Sequence, residues 1–166
     1  MIETKRLILL PLTRAQLAAW AEDVHRLEGA TGLHYRGERP DDEFRRILRG
    51  QVRQMKQDEN DIYHTFWLFV LPGQKCIVGS ACFKGPPGAA GEVEIGYGIA
   101  GAFAGKGYTT EAARALCGWA LAQPGVRAVV AETEKWNKAS MRVLQKCGMA
   151  QTRQTEQCLW WALAKA

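Results

Sequence analysis

Apolar positions along the chain fall into runs whose period changes at about His64 and alternates after Gly98. Residues 6–11 (Arg-Leu-Ile-Leu-Leu-Pro) form a short apolar run closed by proline, which predicts an opening strand. Thr13 with Gln16 three residues on makes a capping box, and Leu17, Trp20, Ala21, Val24 and Leu27 follow at helical spacing to about Gly29. Asp41 and Asp42, after Pro40, predict the start of a second helix with Phe44, Ile47, Leu48, Val52 and Met55 as its buried stripe and arginines on a solvated face. From His64 the period shortens. Residues 64–71, 76–84 and 92–99, separated by Pro72-Gly73 and by Gly85-Pro86-Pro87-Gly88, predict three consecutive antiparallel strands. Helical spacing returns at 108–122, with Ala112, Leu116, Trp119 and Ala120 on the apolar side. A strand at 126–133 follows, then a short helix from Asn137 to Cys147-Gly148, then strands near 149–154 and 156–163.

The order β-α-α-β-β-β-α-β-α-β-β predicts an α+β fold. Its mixed sheet is antiparallel at first and gains a parallel crossover through 92–99, 108–122 and 126–133. No linker, repeat or low-complexity stretch divides the 166 residues, so a single domain over 1–166 is expected. Hydrophobic residues make up 47% and charged ones 23%, which excludes a disordered or fibrous chain. No apolar run approaches the ~20 residues of a membrane span. The opening Met-Ile-Glu-Thr-Lys-Arg has no charged-then-apolar leader, so a cytoplasmic location is the expectation.

The five cysteines (Cys76, Cys82, Cys117, Cys147, Cys158) include no C-x-x-C pair, and the three histidines are not spaced as ligands. Reduced thiols and no metal are expected. The net charge is +5. Residues 1–61 hold 11 basic and 11 acidic side chains, residues 62–166 hold 11 and 6, so the surplus lies in the later part. Such a field suits a polyanionic ligand or is a solubility device. There is no basic stripe interleaved with aromatics and no nucleic-acid-binding motif, which sets nucleic acid aside as a partner.

The stretch Ala104-Gly105-Lys106-Gly107-Tyr108-Thr109-Thr110-Glu111 joins a strand to a helix. Glycines let backbone approach a ligand, and a helix start offers free N–H groups and a positive dipole end. Together they make an anion site suited to phosphate, with Lys106 at its rim, or simply a tight turn. The lysine is followed by glycine, so this is no Walker A loop. Gly96-x-Gly98-x-x-Gly101 lies in the third strand of a meander, so it is no dinucleotide fingerprint either. Asn137, taken by itself, reads as a helix N-cap as readily as a site residue.

Taken together, Glu94-Ile95-Gly96-Tyr97, Gly105-Lys106-Gly107-Tyr108-x-Thr110-Glu111-Ala112 and Asn137-x-Ala139-Ser140-x-x-Val143-Leu144-x-Lys146-x-Gly148 resemble the GNAT superfamily of acyl-CoA-dependent N-acetyltransferases. The opening Glu3-Thr4-Lys5-Arg6-Leu7 is similar to the branch with the ribosomal-protein N-terminal alanine acetyltransferases. The resemblance covers essentially the whole chain. It implies a central sheet of about seven strands flanked by about four helices, with an acetyl-CoA cleft between splayed strands. The family's phosphate loop usually opens on Gln or Arg, where this chain has Ala104, and ends on Gly or Ala, where it has Thr109. Many members place an acid tyrosine where this chain has Leu144. The family's closing Gly-Phe is Gly148-Met149 here.

Carried over residue by residue, the resemblance implies that the edge at Gly98, Ile99 and Ala100 pairs with pantetheine. Backbone N–H groups of Gly105, Lys106, Gly107, Tyr108, Thr109 and Thr110 would hold the diphosphate. Seven basic residues against three acidic ones between Ile99 and Gly148 suit a polyanion. Glu94 is the candidate base for the acceptor amine, with Glu92 in reserve on the same face. Amides near Gly98 and Ile99 would meet the oxyanion, Ser140 would meet the departing sulfur, and Asn137 would orient pantetheine or a water. Plainer readings stand beside these: a surface glutamate, a locally packed serine, a capping asparagine. The implied activity is direct acetyl transfer from acetyl-CoA to a primary amine of a protein N-terminus or small molecule, with no metal and no cysteine nucleophile. The alternative is a coenzyme A-binding regulatory or sensor module that has lost chemistry. A homodimer is compatible with the family.

Overall fold

The computed structural model describes residues 1–55 and 61–165. In chain order its elements begin with β1 (Ile2–Glu3), β2 (Ile8–Pro11), α1 (Arg14–Glu22), α2 (Val24–Thr31), β3 (His34–Tyr35) and α3 (Asp42–Gln54). There follow β4 (Phe66–Leu71), β5 (Cys76–Phe83), β6 (Glu92–Ile99) and α4 (Tyr108–Ala122). The chain closes with β7 (Ala128–Glu134), α5 (Lys138–Lys146), β8 (Ala150–Gln154) and β9 (Cys158–Ala164).

The strands form one sheet in the order β1-β2-β4-β5-β6-β7-β9-β8, with β3 added in parallel at the start of β5. β4 is buried at every position, as a continuous apolar run requires of a strand covered on both faces. Phe66, Leu68 and Val70 pack with Leu17, Trp20 and Leu48 under α1–α3. Trp67, Phe69 and Leu71 pack with Leu116 and Leu144 under α4 and α5. Trp20 centres the first core, edge-on to Tyr35, Phe44 and Phe66 at 5.7, 5.4 and 5.5 Å between ring centroids. No helix among the described residues is long and apolar enough to cross a membrane.

The sheet parts in its middle. β6 and β7 pair in parallel only over Glu92–Glu94 and Ala128–Val130. Beyond Glu94, β6 continues against β5 alone, Ile95 opposite Phe83 and Ile99 opposite Gly79. Beyond Val130, β7 continues against β9 alone. The predicted crossover is present, and its two strands diverge as they approach the glycine turn.

Three local expectations are corrected. The helix expected from Thr13 to about Gly29 is two helices. Asp23 is extended (φ −159°, ψ 147°), its carboxylate accepts from His25 N at 2.7 Å, and it caps α2. A short acidic side chain that can bond its own downstream amide competes with helix continuation, and here it wins. Ile47, assigned to the buried stripe of α3, is 47% exposed and faces a cleft. The two-residue strands β1 and β3 carry no periodicity and went unforeseen. The capping box at Thr13 is present, and Gly148 is left-handed at φ 86°. Replacing Asp23 with alanine is expected to cost about 1 kcal/mol, the usual value of a lost cap, read as a lower melting temperature.

Candidate active site

Two clefts share the Tyr97–Ile99 stretch of β6 as a wall. The smaller, about 420 Å³, lies beside the parted strands and under the N-termini of α4 and α5. The larger, about 820 Å³, lies on the other side, between β5–β6 and α3.

At the smaller cleft, Gly105 (φ 74°) and Gly107 (φ 81°) adopt the left-handed conformation that other residues resist. Gly107 is the N-cap of α4 and supplies no side chain to its first turn. Ala104 N–H donates to Gly101 O at 3.2 Å and Glu111 N–H to Gly107 O at 3.0 Å. Between them, the amides from Gly105 through Thr110 find no acceptor among the described residues. Uncapped amides at a helix start carry the positive end of its dipole and bind anions. Arg142 and Lys146 of α5 line the same cleft. The Lys106 ammonium lies over the ring of Phe103, a lining residue of the cleft, 5.2 Å from its centroid.

Asn137 lines the cleft and is also the cap that its plain reading required, its Oδ1 accepting from Ser140 N at 3.0 Å. Ser140 Oγ lies 2.9 Å from the Tyr97 hydroxyl. Tyr97 was not singled out from the sequence as a site residue. The signal was its place at the end of Glu94-Ile95-Gly96-Tyr97, but only the fold brings it to α5. Burial pushes its phenol up to about 12, so it stays protonated, a donor, at neutral pH. Leu144, at the place of the family's tyrosine, is 1% exposed in the core and presents no hydroxyl.

Along β6 the alternation decides which amides face the gap. Ala100 N–H donates to Val78 O at 2.8 Å and Lys84 N–H to Glu94 O at 2.9 Å, so even-numbered residues bond to β5. The amides of Tyr97 and Ile99 therefore turn toward the parted side. Of the edge expected at Gly98, Ile99 and Ala100, Ile99 presents its amide there, while Ala100 is already bonded and lines only the larger cleft.

The larger cleft has a floor of small residues, Gly79, Ser80, Gly96 and Gly98, and a roof from Tyr35, Phe44 and Ile47. Glu94 lies on this face of β6, half-buried, with its carboxylate paired to Lys84, a lining residue. Gly98 lies four positions beyond Glu94, roughly 13 Å at ~3.3 Å per residue. Glu92 is exposed at the start of β6 and farther away. All five cysteines are free thiols. Burial raises Cys82 to about 11 and Cys117 to about 12, so neither is a thiolate at neutral pH. No group of three or more His, Cys, Asp or Glu is placed to hold a metal among the described residues.

A family model described as an acetyltransferase (GNAT) domain matches residues 6–150. A protein of Bacillus subtilis (strain 168) named "Uncharacterized N-acetyltransferase YjdG" is 27% identical over 161 residues, 97% of this chain and 96% of that one. Among solved structures, a ribosomal-protein-S5-alanine acetyltransferase from Vibrio fischeri superposes with a TM-score of 0.71 at 13% identity, over 99% of this chain and 96% of the other. A ribosomal-protein alpha-N-acetyltransferase solved in complex with coenzyme A gives 0.67 at 15% identity, over 97% and 95%. At these identities the structural likeness concerns the fold.

Proposed function

Because the chain belongs to the GNAT acetyltransferase family, whose general activity is acetyl transfer to an amine, we propose that it joins acetyl-CoA in the smaller cleft to a primary amine in the larger one. The observation that carries this reading is the run of unpartnered amides from Gly105 through Thr110, beside a wall shared by both clefts. That run seats the diphosphate, with Arg142 and Lys146 supplying further positive charge. The pantetheine arm pairs with β6 through the main chain of Tyr97 and Ile99. The acceptor is a protein N-terminus or a small-molecule amine.

The amine nitrogen attacks the thioester carbonyl carbon, the C–S bond breaks, and the sulfur leaves as a thiolate that takes up a proton. An α-amino group titrates near ~8 and a lysine near ~10.4, so the attacking amine must first lose a proton. Glu94 is the acceptor for that proton, and its distance from Gly98 requires a relay of water along the glycine floor. The Ile99 amide donates to the oxyanion. Ser140, backed by the protonated Tyr97 phenol, donates to the leaving sulfur. Asn137 Nδ2 orients the pantetheine. No cysteine enters.

Calorimetry with coenzyme A, followed by a panel of amines read through release of free thiol, tests the reading. Binding and turnover are expected. Glu94→Gln should lower kcat by about 100-fold, the ordinary contribution of a general base, with coenzyme A affinity unchanged. No heat of association would end the proposal. Binding without turnover of any amine would favour a sensor module, and full activity of Glu94→Gln would remove that residue as base.

A further inference from the structure

The segment Thr4-Lys5-Arg6 has no part in the reaction just described, yet it is fastened to the anion-binding turn. Arg6 Nε donates to Glu111 Oε2 at 2.7 Å, and Arg6 N–H and Thr4 Oγ1 each donate to Glu111 Oε1 at 2.7 Å. The same guanidinium donates through Nη1 to the Lys106 carbonyl at 2.9 Å and lies 4.4 Å from the centroid of the Tyr108 ring. One side chain thus reaches the turn, the first aromatic of α4 and the only acidic residue in its first turn.

Two physical consequences follow. In a trans peptide the carbonyl and the next N–H point opposite ways. A guanidinium that holds the Lys106 carbonyl outward therefore aims the Gly107 N–H inward, toward the cleft. Gly107, at φ 81° and without a Cβ, leaves that plane free to turn unless a neighbour holds it. The second consequence is electrostatic. Glu111 places a carboxylate at the same helix terminus that would receive a diphosphate. Its side chain is 17% exposed. Burial alone would raise its pKa, but hydrogen bonds from Thr4 and Arg6 outweigh burial and keep it ionised. Unpaired, it would compete with a bound anion for the positive end of α4.

We propose that Arg6 is a positioning residue for coenzyme A, orienting the 106–107 peptide and cancelling the Glu111 charge so that the turn accepts a diphosphate. The proposal rests on the assignment of Gly105–Thr110 to that group. It makes an N-terminal arginine, remote in sequence from the binding turn, a determinant of cofactor affinity rather than of chemistry.

The test compares Arg6→Met, Arg6→Lys and the double variant Arg6→Met/Glu111→Gln with the wild type, using coenzyme A in calorimetry and S-acetyl-pantetheine, which has no diphosphate, in turnover. Arg6→Met should weaken coenzyme A about tenfold and leave the KM for S-acetyl-pantetheine unchanged. Arg6→Lys, with its charge kept but its fork lost, should weaken coenzyme A severalfold, and it serves if Arg6→Met does not fold. The double variant should bind coenzyme A more tightly than Arg6→Met, because the carboxylate that lost its guanidinium is gone. A merely structural fastening predicts the reverse. The proposal is overturned if the Arg6 variants bind coenzyme A within twofold of wild type, if the double variant binds no better than Arg6→Met, or if S-acetyl-pantetheine suffers equally. Failure of wild type to bind coenzyme A would instead overturn the diphosphate assignment itself.

Discussion

Gly105→Asp is expected to weaken coenzyme A by about 100-fold while the protein stays folded. A Cβ at Gly105 meets nothing within 4 Å, and its φ of 74° is one that aspartate tolerates better than most residues. Aspartate in the left-handed region costs about 1 kcal/mol of backbone strain, which falls on stability, while the loss of affinity is electrostatic. Like charges ~5 Å apart at an effective dielectric near ~20 repel by roughly 3 kcal/mol, about a factor of 100 in affinity. Calorimetry reads the loss, and a thermal melt separates it from unfolding. The repulsion should shrink at high salt, since the site is open. Affinity within fivefold of wild type in a folded variant would mean that no diphosphate approaches this turn.

The second large effect is expected on kcat. Tyr97→Phe and Ser140→Ala should each lower kcat by about 10- to 100-fold, with the KM for acetyl-CoA changed little, because each removes part of one donor to the departing sulfur. The hydroxyls are 2.9 Å apart and act as a unit, so the double variant should be little worse than the worse single one. Multiplying losses would show that the two act separately. The phenol's pKa of about 12 adds a pH signature. The neutral form is the donor and persists until pH passes that value, so any alkaline fall in rate below about pH 11 must come from another group, and Tyr97→Phe should leave it in place.

Much of the architecture was readable from pattern because the physics is local. The run 66–71 is apolar at every position, and a strand covered on both faces is its natural place. Thr13 and Gln16 close a capping box within one turn. The glycine turn announces itself because left-handed backbone at 105 and 107 needs residues without a Cβ. Asp23 shows the limit of periodicity: apolar spacing runs through it, while a side-chain bond to His25 breaks the helix. The candidate site was harder. Tyr97 and Ser140 are 43 residues apart, and no spacing rule brings a strand phenol to a helix hydroxyl. Position marks Lys106 as a neighbour of the turn, and only the fold shows that its ammonium lies over Phe103.

Local backbone demands, helix caps, strand burial and the anion-seeking character of Gly105–Thr110 are written in short stretches of residues, because each depends on atoms within a turn or a pleat. Which amides of β6 face the gap, where β6 and β7 part, and how Arg6 reaches Glu111 and the Lys106 carbonyl depend on the packing of segments distant in sequence, 36 residues apart for β6 and β7 and 100 or more for Arg6. Those relations are set by the shared cores on the two faces of the sheet. Burial, not spacing, chooses them.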